Sequence, residues 1–353
     1  MSSPLDTKLA GTIGTETQRS LICQLWGPLA PTENDVRSMQ PYFQYYSTQC
    51  RQFLLDGGMH VSVSTHNDII RLANKFHRNL ARGDILHSLS ASSQCKAAGS
   101  TAAANCAIHL CARLLLMVTI GEPPNGLPGP STMYWKSGTI TDFTESCFGV
   151  QHQLNPENAQ ISKMLTMLNL QKIGGMEIEW TRNLADHLRL IDDDRRILVF
   201  SCISFLKFQH RHSASNIQSL FPSGFLEETL RTFSLLFPQN DSASQKWLSS
   251  QIKGRDHISL DPALLHCGSL WIHERRYENF KYWNNRLVIL KQALDDARPQ
   301  TMMQWWHDRR NGVQWYTFWV AILVFIVTIF FGIIQSLEGA LQVWLSWKSI
   351  DQS

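Results

Sequence analysis

Three groups of side chains in this sequence have the chemistry to bind a metal ion. The first is Cys106, His109 and Cys111, which offers the thiolate and imidazole donors that Zn²⁺ prefers. On a helix, Cys106 and His109 share one face while Cys111 points elsewhere, so ligation by all three is strained. The spacing therefore favours a core helix with small packing residues over a zinc site.

The second group is dispersed over the C-terminal half of the chain. Its members are His210, His212, His266, Cys267 and His273. They become metal ligands only if the fold brings them together, and none of their spacings is typical of a zinc motif. We therefore predict no metal and no cofactor.

The third group is the acidic run Asp192, Asp193 and Asp194, followed directly by Arg195 and Arg196. Metal-dependent terpene and prenyl chemistry uses acidic clusters to hold magnesium, but on helices that face a deep apolar cavity. This run separates strand-like segments and contains only polar residues. We predict a solvated turn.

The common catalytic signatures are missing from the sequence. It has no phosphate-binding GxxxxGK[ST] loop, no GxGxxG, no HExxH, no GxSxG and no EF-hand loop. The formal net charge is +3 without any dense run of Lys or Arg, so a nucleic-acid partner is not expected. No catalytic residue is predicted.

The eight cysteines are spread along the chain without a CxxC pair. In a chain of this length, that pattern indicates free thiols in a reducing compartment. The N-terminus lacks the apolar core of a secretory signal. Both observations favour a cytosolic location for the chain that precedes the membrane span described below.

The hydrophobic pattern predicts a mainly α fold with a minor β-hairpin component (α+β). Residues 1–20 read as disordered and 21–297 as a mainly helical body, with a possible sub-boundary in the Pro/Gly-rich segment 121–130. Strand-like segments flank the turn at 192–196. Helices are predicted over 65–80, 100–120, 223–237 (with Ser223 available as a cap) and 277–297, and 239–262 reads as a polar connection.

Two of these helices admit alternatives. Residues 100–120 are long enough to suggest a membrane span, but Asn105, His109 and Arg113 lie in the interior of the segment, so a buried core helix is preferred. In 277–297 the apolar residues follow a 3-4-3-4 spacing: Phe280, Trp283, Leu287, Leu290 and Leu294. That spacing fits packing within the body or, as an alternative, a short coiled-coil dimer.

One segment satisfies the requirement for a membrane span. Residues 315–334 are almost entirely apolar, and no Asp, Glu, Lys, Arg or His occurs between 311 and 337. A helix needs roughly 20 apolar residues to cross the ~30 Å hydrocarbon core. We predict a juxtamembrane segment at 298–312, a transmembrane helix at 313–337 and a short tail at 338–353, which together describe a tail-anchored, single-pass membrane protein.

Charge around the span predicts its orientation. The cations on the N-terminal side are Lys291, Arg298, Arg309 and Arg310. Only Lys348 follows the span, where Glu338 and Asp351 oppose it. The positive-inside rule places the body in the cytosol, with Arg309 and Arg310 beside anionic headgroups. The endoplasmic reticulum is the expected membrane.

Aromatic and small residues add detail to the predicted span. The aromatic residues at its two interfaces are Trp315, Tyr316, Trp319, Trp344 and Trp347. Trp315 and Trp344 are about 43 Å apart on a helix, close to the full bilayer thickness. Gly332, Ser336 and Ala340 form a small-residue stripe that either serves homo-oligomerisation or reflects chance.

Several motifs carry a family resemblance. They are ETLRT (228–232), LLFP (235–238), WNNRLVILK (283–291), WWHDRRN (305–311) and QWYTFW (314–319). Together they resemble an uncharacterised filamentous-fungal membrane protein family with a helical N-terminal body and one C-terminal transmembrane helix. The resemblance implies a setting near secondary-metabolite genes and supplies no activity or catalytic residue.

These observations lead to one favoured function and one alternative. The favoured function is a non-enzymatic, tail-anchored protein whose body binds other proteins at a membrane surface. The alternative is a membrane-tethered accessory enzyme that acts on a lipophilic intermediate of secondary metabolism. A large pocket with converging polar groups favours the enzyme, whereas a solid core with exposed apolar residues favours the interaction protein.

Overall fold

The computed structural model divides the chain into two compact units. One is a body formed by 1–171 and 176–296, and the other comprises 172–175 and 297–353. The structure describes residues 4–9, 11–27, 31–54, 61–91, 100–121, 132–150, 159–213, 219–254, 260–297 and 312–350. The predicted juxtamembrane segment (298–312), with Arg309 and Arg310, and the sub-boundary at 121–130 lie almost wholly outside these residues.

The described part of the chain is mostly helical with one small sheet, as predicted for an α+β protein. The helices of the body are α1 (Thr15–Trp26), α2 (Glu33–Ser38), α3 (Gln40–Phe53), α4 (His66–His77), α5 (Arg82–Ser90), α6 (Ser100–Leu116), α7 (Ile140–Phe148), α8 (Met167–Lys172), α9 (Ile203–Ser213), α10 (Phe225–Leu236), α11 (Ser242–Lys253) and α12 (Asn284–Asp296). The strands are β1 (Glu177–Thr181), β2 (Arg189–Ile191) and β3 (Arg196–Phe200), and the C-terminal helix is α13 (Gly312–Ile350).

The sheet has the order β1-β3-β2. Strands β2 and β3 pair antiparallel, which confirms the predicted hairpin, and β1 adds a parallel strand on the other side of β3. Asp192, Asp193 and Asp194 occupy the hairpin turn with φ angles of 54°, 52° and 62°. Aspartate tolerates this left-handed conformation better than most residues, and all three side chains are exposed. The run is a solvated turn, as predicted.

Helix α6 is a core helix. Ala107, Ile108 and Leu110 are fully buried, and the Tyr42 hydroxyl donates a hydrogen bond to the Leu114 carbonyl. Its one arginine, Arg113, donates to the Ile120 carbonyl at 2.8 Å and lies 4.9 Å from the ring of Phe53. A guanidinium supported in this way is tolerated at the edge of a folded core, and the burial of the apolar residues of α6 confirms the prediction of a core helix.

The N-terminal residues carry more structure than their composition predicts. Leu9 is 1% exposed, and its backbone N–H donates to the Ser64 carbonyl. Helix α1 already begins at Thr15, and it buries Leu21 and Ile22. Long-range burial of a few apolar residues therefore orders a segment that is otherwise rich in Ser, Thr and Gly.

The helix predicted over 277–297 begins later, at Asn284. Residues Tyr277–Asn279 form a 3-10 turn, and the backbone between this turn and α12 bonds to Glu228 instead of continuing a helix. The five apolar residues of the 3-4-3-4 pattern are all buried, so they pack within the body. The 3-4-3-4 spacing arises because the segment before α12 and α12 itself both contribute apolar side chains to the same core.

Two further local predictions differ from the structure. The N-cap of α10 is Gly224 in a left-handed conformation (φ 77°), and not Ser223. The stretch expected to be a polar connection contains α11, which Asp241 caps by accepting the N–H groups of Ala243 and Ser244. The first difference concerns only the residue at which a helix starts, whereas the second is a whole helix whose polar composition hid its few buried residues, Ser244 and Leu248.

Candidate membrane anchor and buried polar network

Helix α13 is the one described helix that is long and apolar enough to cross a membrane. It has 39 residues, and its apolar part, Trp315–Trp347, has 33. At 1.5 Å per residue, that part is about 50 Å long, which exceeds both the ~30 Å hydrocarbon core and the roughly 40–45 Å of a bilayer with its headgroups. The helix runs without a break through the predicted span and on past Glu338.

The apolar side chains of α13 are exposed. None of its most apolar stretch is buried, and Val320, Phe325, Phe330 and Leu337 are each more than half exposed. A core helix of similar composition, such as α6, has these side chains covered by the rest of the body. Exposed apolar surface of this extent is compatible with contact to lipid or to another apolar surface.

The polar groups of α13 fit the same environment. The hydroxyls of Thr317 and Thr328 donate to the carbonyls of Val313 and Val324, four residues earlier, at 2.9 and 2.8 Å. Hydroxyls satisfied inside their own helix carry little penalty in lipid. Glu338 is the one acidic residue within Trp315–Trp347 and lies nine residues before the end of that stretch.

The structure places the predicted interfacial aromatics on this helix without testing their role. Tyr316, Trp344 and Trp347 are exposed, and Trp315 and Trp319 are partly covered. Because α13 is continuous, the separation of about 43 Å between Trp315 and Trp344 holds for the folded helix. Arg309 and Arg310 lie outside the described residues, so their orienting role stays a prediction from sequence.

The small-residue stripe is also located on α13. Gly332, Ser336 and Ala340 are exposed and follow each other at one-turn spacing. A Cβ atom added at Gly332 would meet no atom within 4 Å. The stripe is therefore accessible to a second helix, and its use in self-association stays a prediction.

The candidate metal ligands do not come together in the described residues. No group of three or more His, Cys, Asp or Glu side chains there is able to hold an ion. The Cys111 thiol contacts the Ile69 carbonyl, and His109 faces Arg82 at 3.4 Å. Burial, together with Arg82 and Arg113, lowers the pKa of His109 to about 4. All seven cysteines in the described part are free thiols.

Sequence reasoning missed the most distinctive polar group of the body, the carboxylate of Glu228. It is 5% exposed and accepts three consecutive backbone N–H groups, from Lys281, Tyr282 and Trp283, at 2.8, 2.7 and 2.9 Å. Burial raises the pKa of Glu228, and the three hydrogen bonds oppose that shift. Glu228 thereby satisfies backbone donors just before α12 and fixes this segment against α10.

A second set of buried groups surrounds His187. The imidazole is fully buried and stacks on Phe233, with ring centroids 4.7 Å apart. Its Nε2 lies 2.8 Å from the Thr232 hydroxyl, and its Nδ1 accepts the backbone N–H of Phe200. Burial and then the charge of Arg286 lower the pKa of His187 well below its ordinary value. The ring is therefore a neutral packing element.

Two more charged side chains, Arg286 and Asp261, form hydrogen bonds inside the body. Arg286 donates to the carbonyls of Ala185 and His187, and its guanidinium lies 5.2 Å from the ring of Trp283. Asp261 is 1% exposed and accepts the N–H groups of Ser204 and Ala263. The half-buried Arg286 and the buried Asp261 each join two distant parts of the chain.

The sequence does contain a weak signal for Glu228. It lies three residues after Phe225 and four before Thr232, on the face of α10 that is otherwise buried. By position alone, a carboxylate in a first helical turn is equally well explained by the helix dipole. Identifying it as a buried cap requires knowledge of which segment packs above it.

Comparisons with known proteins add no family to this description: no family model, no curated protein and no solved structure matches the chain.

Proposed function

We propose that this protein is a single-pass, tail-anchored membrane protein whose body lies on the cytosolic side and binds other proteins there. The observation that supports the anchor is the largely exposed apolar stretch Trp315–Trp347 in α13, which has no buried residue in its most apolar part. A stretch of that length and exposure is stable only in a lipid environment or against another apolar surface.

The proposed orientation rests on charge. Arg309 and Arg310 directly precede the helix, whereas its C-terminal side carries Lys348 opposed by Glu338 and Asp351. Anionic lipids of the cytosolic leaflet attract each juxtamembrane cation by around 1 kcal/mol. The endoplasmic reticulum is the proposed membrane.

Protein binding is preferred over catalysis because of how the body uses its polar groups. The buried carboxylates of Glu228 and Asp261 and the half-buried guanidinium of Arg286 are each bonded to backbone groups, and none of them lines the cleft of about 670 Å³ on the surface of the body. Large apolar side chains are exposed on the body, among them Trp271 and Ile272 at 73% and 62%. A solid core with exposed apolar residues is the expectation for an interaction module.

The relation to filamentous-fungal membrane proteins and the homo-oligomer remain parts of the proposal. The first rests on the motifs around 283–291 and 305–319, and it suggests partners among proteins of a secondary-metabolite pathway. The second rests on the stripe at Gly332, Ser336 and Ala340. A membrane-tethered enzyme acting on a lipophilic intermediate is the alternative.

Removal of the anchor tests the proposal. The full chain and a version without residues 313–353 are expressed in a eukaryotic cell, and membranes are extracted with alkaline carbonate. We expect the full chain in the membrane pellet and the shortened chain in the soluble fraction. Equal distribution of the two would contradict the anchor.

A pull-down from mild detergent tests the second half of the proposal. Partners bound by the body should be recovered with both versions, since α13 contributes only the location. Loss of every partner with the shortened chain would assign the interactions to the helix and contradict a binding role for the body.

A further inference from the structure

A cleft of about 670 Å³ opens on the surface of the body. It lies beside α8, the end of α10 and the start of α11, and the segment 269–275 closes its remaining side. Much of its wall is apolar, formed by Met164, Leu168, Leu235, Pro238, Trp271 and Ile272. The volume falls within the range of small-molecule sites.

Two large side chains in the cleft wall are unusually exposed. Trp271 is 73% exposed and Ile272 is 62% exposed, on a turn in which the Glu274 carboxylate accepts the Trp271 backbone N–H at 2.6 Å. This hydrogen bond fixes the backbone of the turn while its apolar side chains stay in solvent. The arrangement favours contact with an apolar ligand over packing within the body.

The same turn ends in a buried cation. Arg275 is only 8% exposed, and its side chain makes one long hydrogen bond, from Nη1 to the Ile161 carbonyl at 3.4 Å. No carboxylate pairs with it in the described part of the chain. The neighbouring Arg276, by contrast, pairs with Glu278 at 3.0 Å. A buried guanidinium is costly unless an anion compensates it, and here none does.

Other polar groups of the cleft are already occupied. The Asp241 carboxylate caps α11 through the N–H groups of Ala243 and Ser244. The Asn169 amide donates to the Met164 carbonyl, and Asn240 bonds to Ser269. Lys163 and Arg275 are the cleft's cations, and the one carboxylate in its lining is already used as a helix cap. The cleft is therefore apolar with a positive end.

From this combination we infer that the cleft binds a small amphiphilic carboxylate. The alkyl body lies against Trp271, Ile272 and Met164, and the carboxylate accepts hydrogen bonds from the Arg275 guanidinium. The planar fork of arginine matches a carboxylate, so a single Arg275 suffices to hold that head group. This inference is independent of the anchor and of the orientation of the body.

The probe for this inference is octanoate. Isothermal titration calorimetry measures its binding at pH 7 to the full chain in phosphatidylcholine nanodiscs, with empty nanodiscs as the blank. Octan-1-ol and octylammonium are titrated in parallel. We expect octanoate to bind at least about tenfold more tightly than either, the lower end of what a charge-assisted hydrogen bond provides. Equal affinities would overturn the inference.

Variants locate the site. Arg275→Met should weaken octanoate binding at least about tenfold and Trp271→Ala severalfold, while the matched control Arg276→Met should stay within about twofold. Unchanged binding by Arg275→Met would overturn the inference. Urea unfolding shows whether Arg275→Met folds. If it does not fold, octanoate binding by Arg275→Lys and Trp271→Ala is measured instead. Unchanged binding by both would then overturn the inference.

Discussion

Helix α10 buries a charged side chain, whereas helix α13 exposes large apolar side chains. In α10, Glu228 is a buried carboxylate that accepts three backbone N–H groups from a segment more than fifty residues away. In α13, most of the large apolar side chains are exposed, and none of the most apolar stretch is buried. The buried charge in α10 is stabilised by hydrogen bonds within the fold. The exposed apolar side chains of α13 depend instead on the environment around the protein.

This difference explains which features can be predicted from the local sequence and which depend on tertiary contacts. The character of α13 is local, because length and composition alone decide that it suits a bilayer. The character of α10 is tertiary, because a glutamate in a first helical turn becomes a buried cap only through the segment that packs over it. The predictions below test each side of this contrast.

The largest effect is expected from Glu228→Ala. The substitution leaves three buried N–H donors without their acceptor, and we expect a loss of about 4 kcal/mol in the free energy of unfolding. Urea unfolding of the full chain in nanodiscs, followed by tryptophan fluorescence, measures it.

The adjacent Glu227 provides the matched control for that measurement. Its exposed carboxylate pairs with Arg231 one turn away at 2.7 Å. Glu227→Ala should therefore change the free energy of unfolding by no more than about 0.5 kcal/mol. A similar loss of unfolding free energy in the two variants would contradict the stabilising role assigned to Glu228.

Acidification should weaken the body. His187, His66 and His77 have pKa values lowered by burial, and that of His109 is lowered to about 4. The unfolded chain takes up protons below about pH 6.5 while the folded body does not, so stability falls as pH drops from there. Urea midpoints at pH 7.5 and pH 5 measure the loss.

His109→Gln sharpens this prediction. Removing one histidine that stays neutral in the fold should reduce the pH dependence of unfolding by up to one proton between pH 6.5 and 4. An unchanged dependence would show that His109 protonates equally well in both states.

The smallest effect concerns the stripe on α13. Gly332→Leu should lower the yield of a crosslinked dimer in membranes if Gly332, Ser336 and Ala340 contact a second copy. Since a Cβ at Gly332 meets nothing within 4 Å, the substitution does not strain the helix itself. Val327→Leu, away from that face, is the control, and an equal yield for both variants would assign the stripe no packing role.

The sequence predicted the elements whose signals are local. The core helix α6, the hairpin around Asp193 and the helix predicted over 65–80, which the structure has as α4 (His66–His77), all follow from spacing and residue type. Periodicity also identified the five buried residues of 277–297, although it placed the start of α12 too early.

Other features could not be predicted from local sequence patterns. The parallel strand β1, the ordered contact of Leu9 with Ser64, and the cap that Glu228 provides each depend on pairing between distant segments. Arg275, which has no carboxylate partner among the described residues, could not be recognised as buried from the sequence for a related reason. In the sequence it belongs to an apparently basic patch, His273 to Arg276, but burial separates it from its exposed neighbours.

The central claim is that α13 anchors a body that stays in the cytosol, and N-glycosylation tests it most directly. Asn240 begins the sequon Asn240-Asp241-Ser242 and is exposed, so the sequon is a built-in reporter on the body. A second sequon is appended after Ser353, and the chain is expressed in cells with Asn240→Gln as the control. The account predicts a glycan on the appended sequon alone, and a glycan on Asn240 would contradict it.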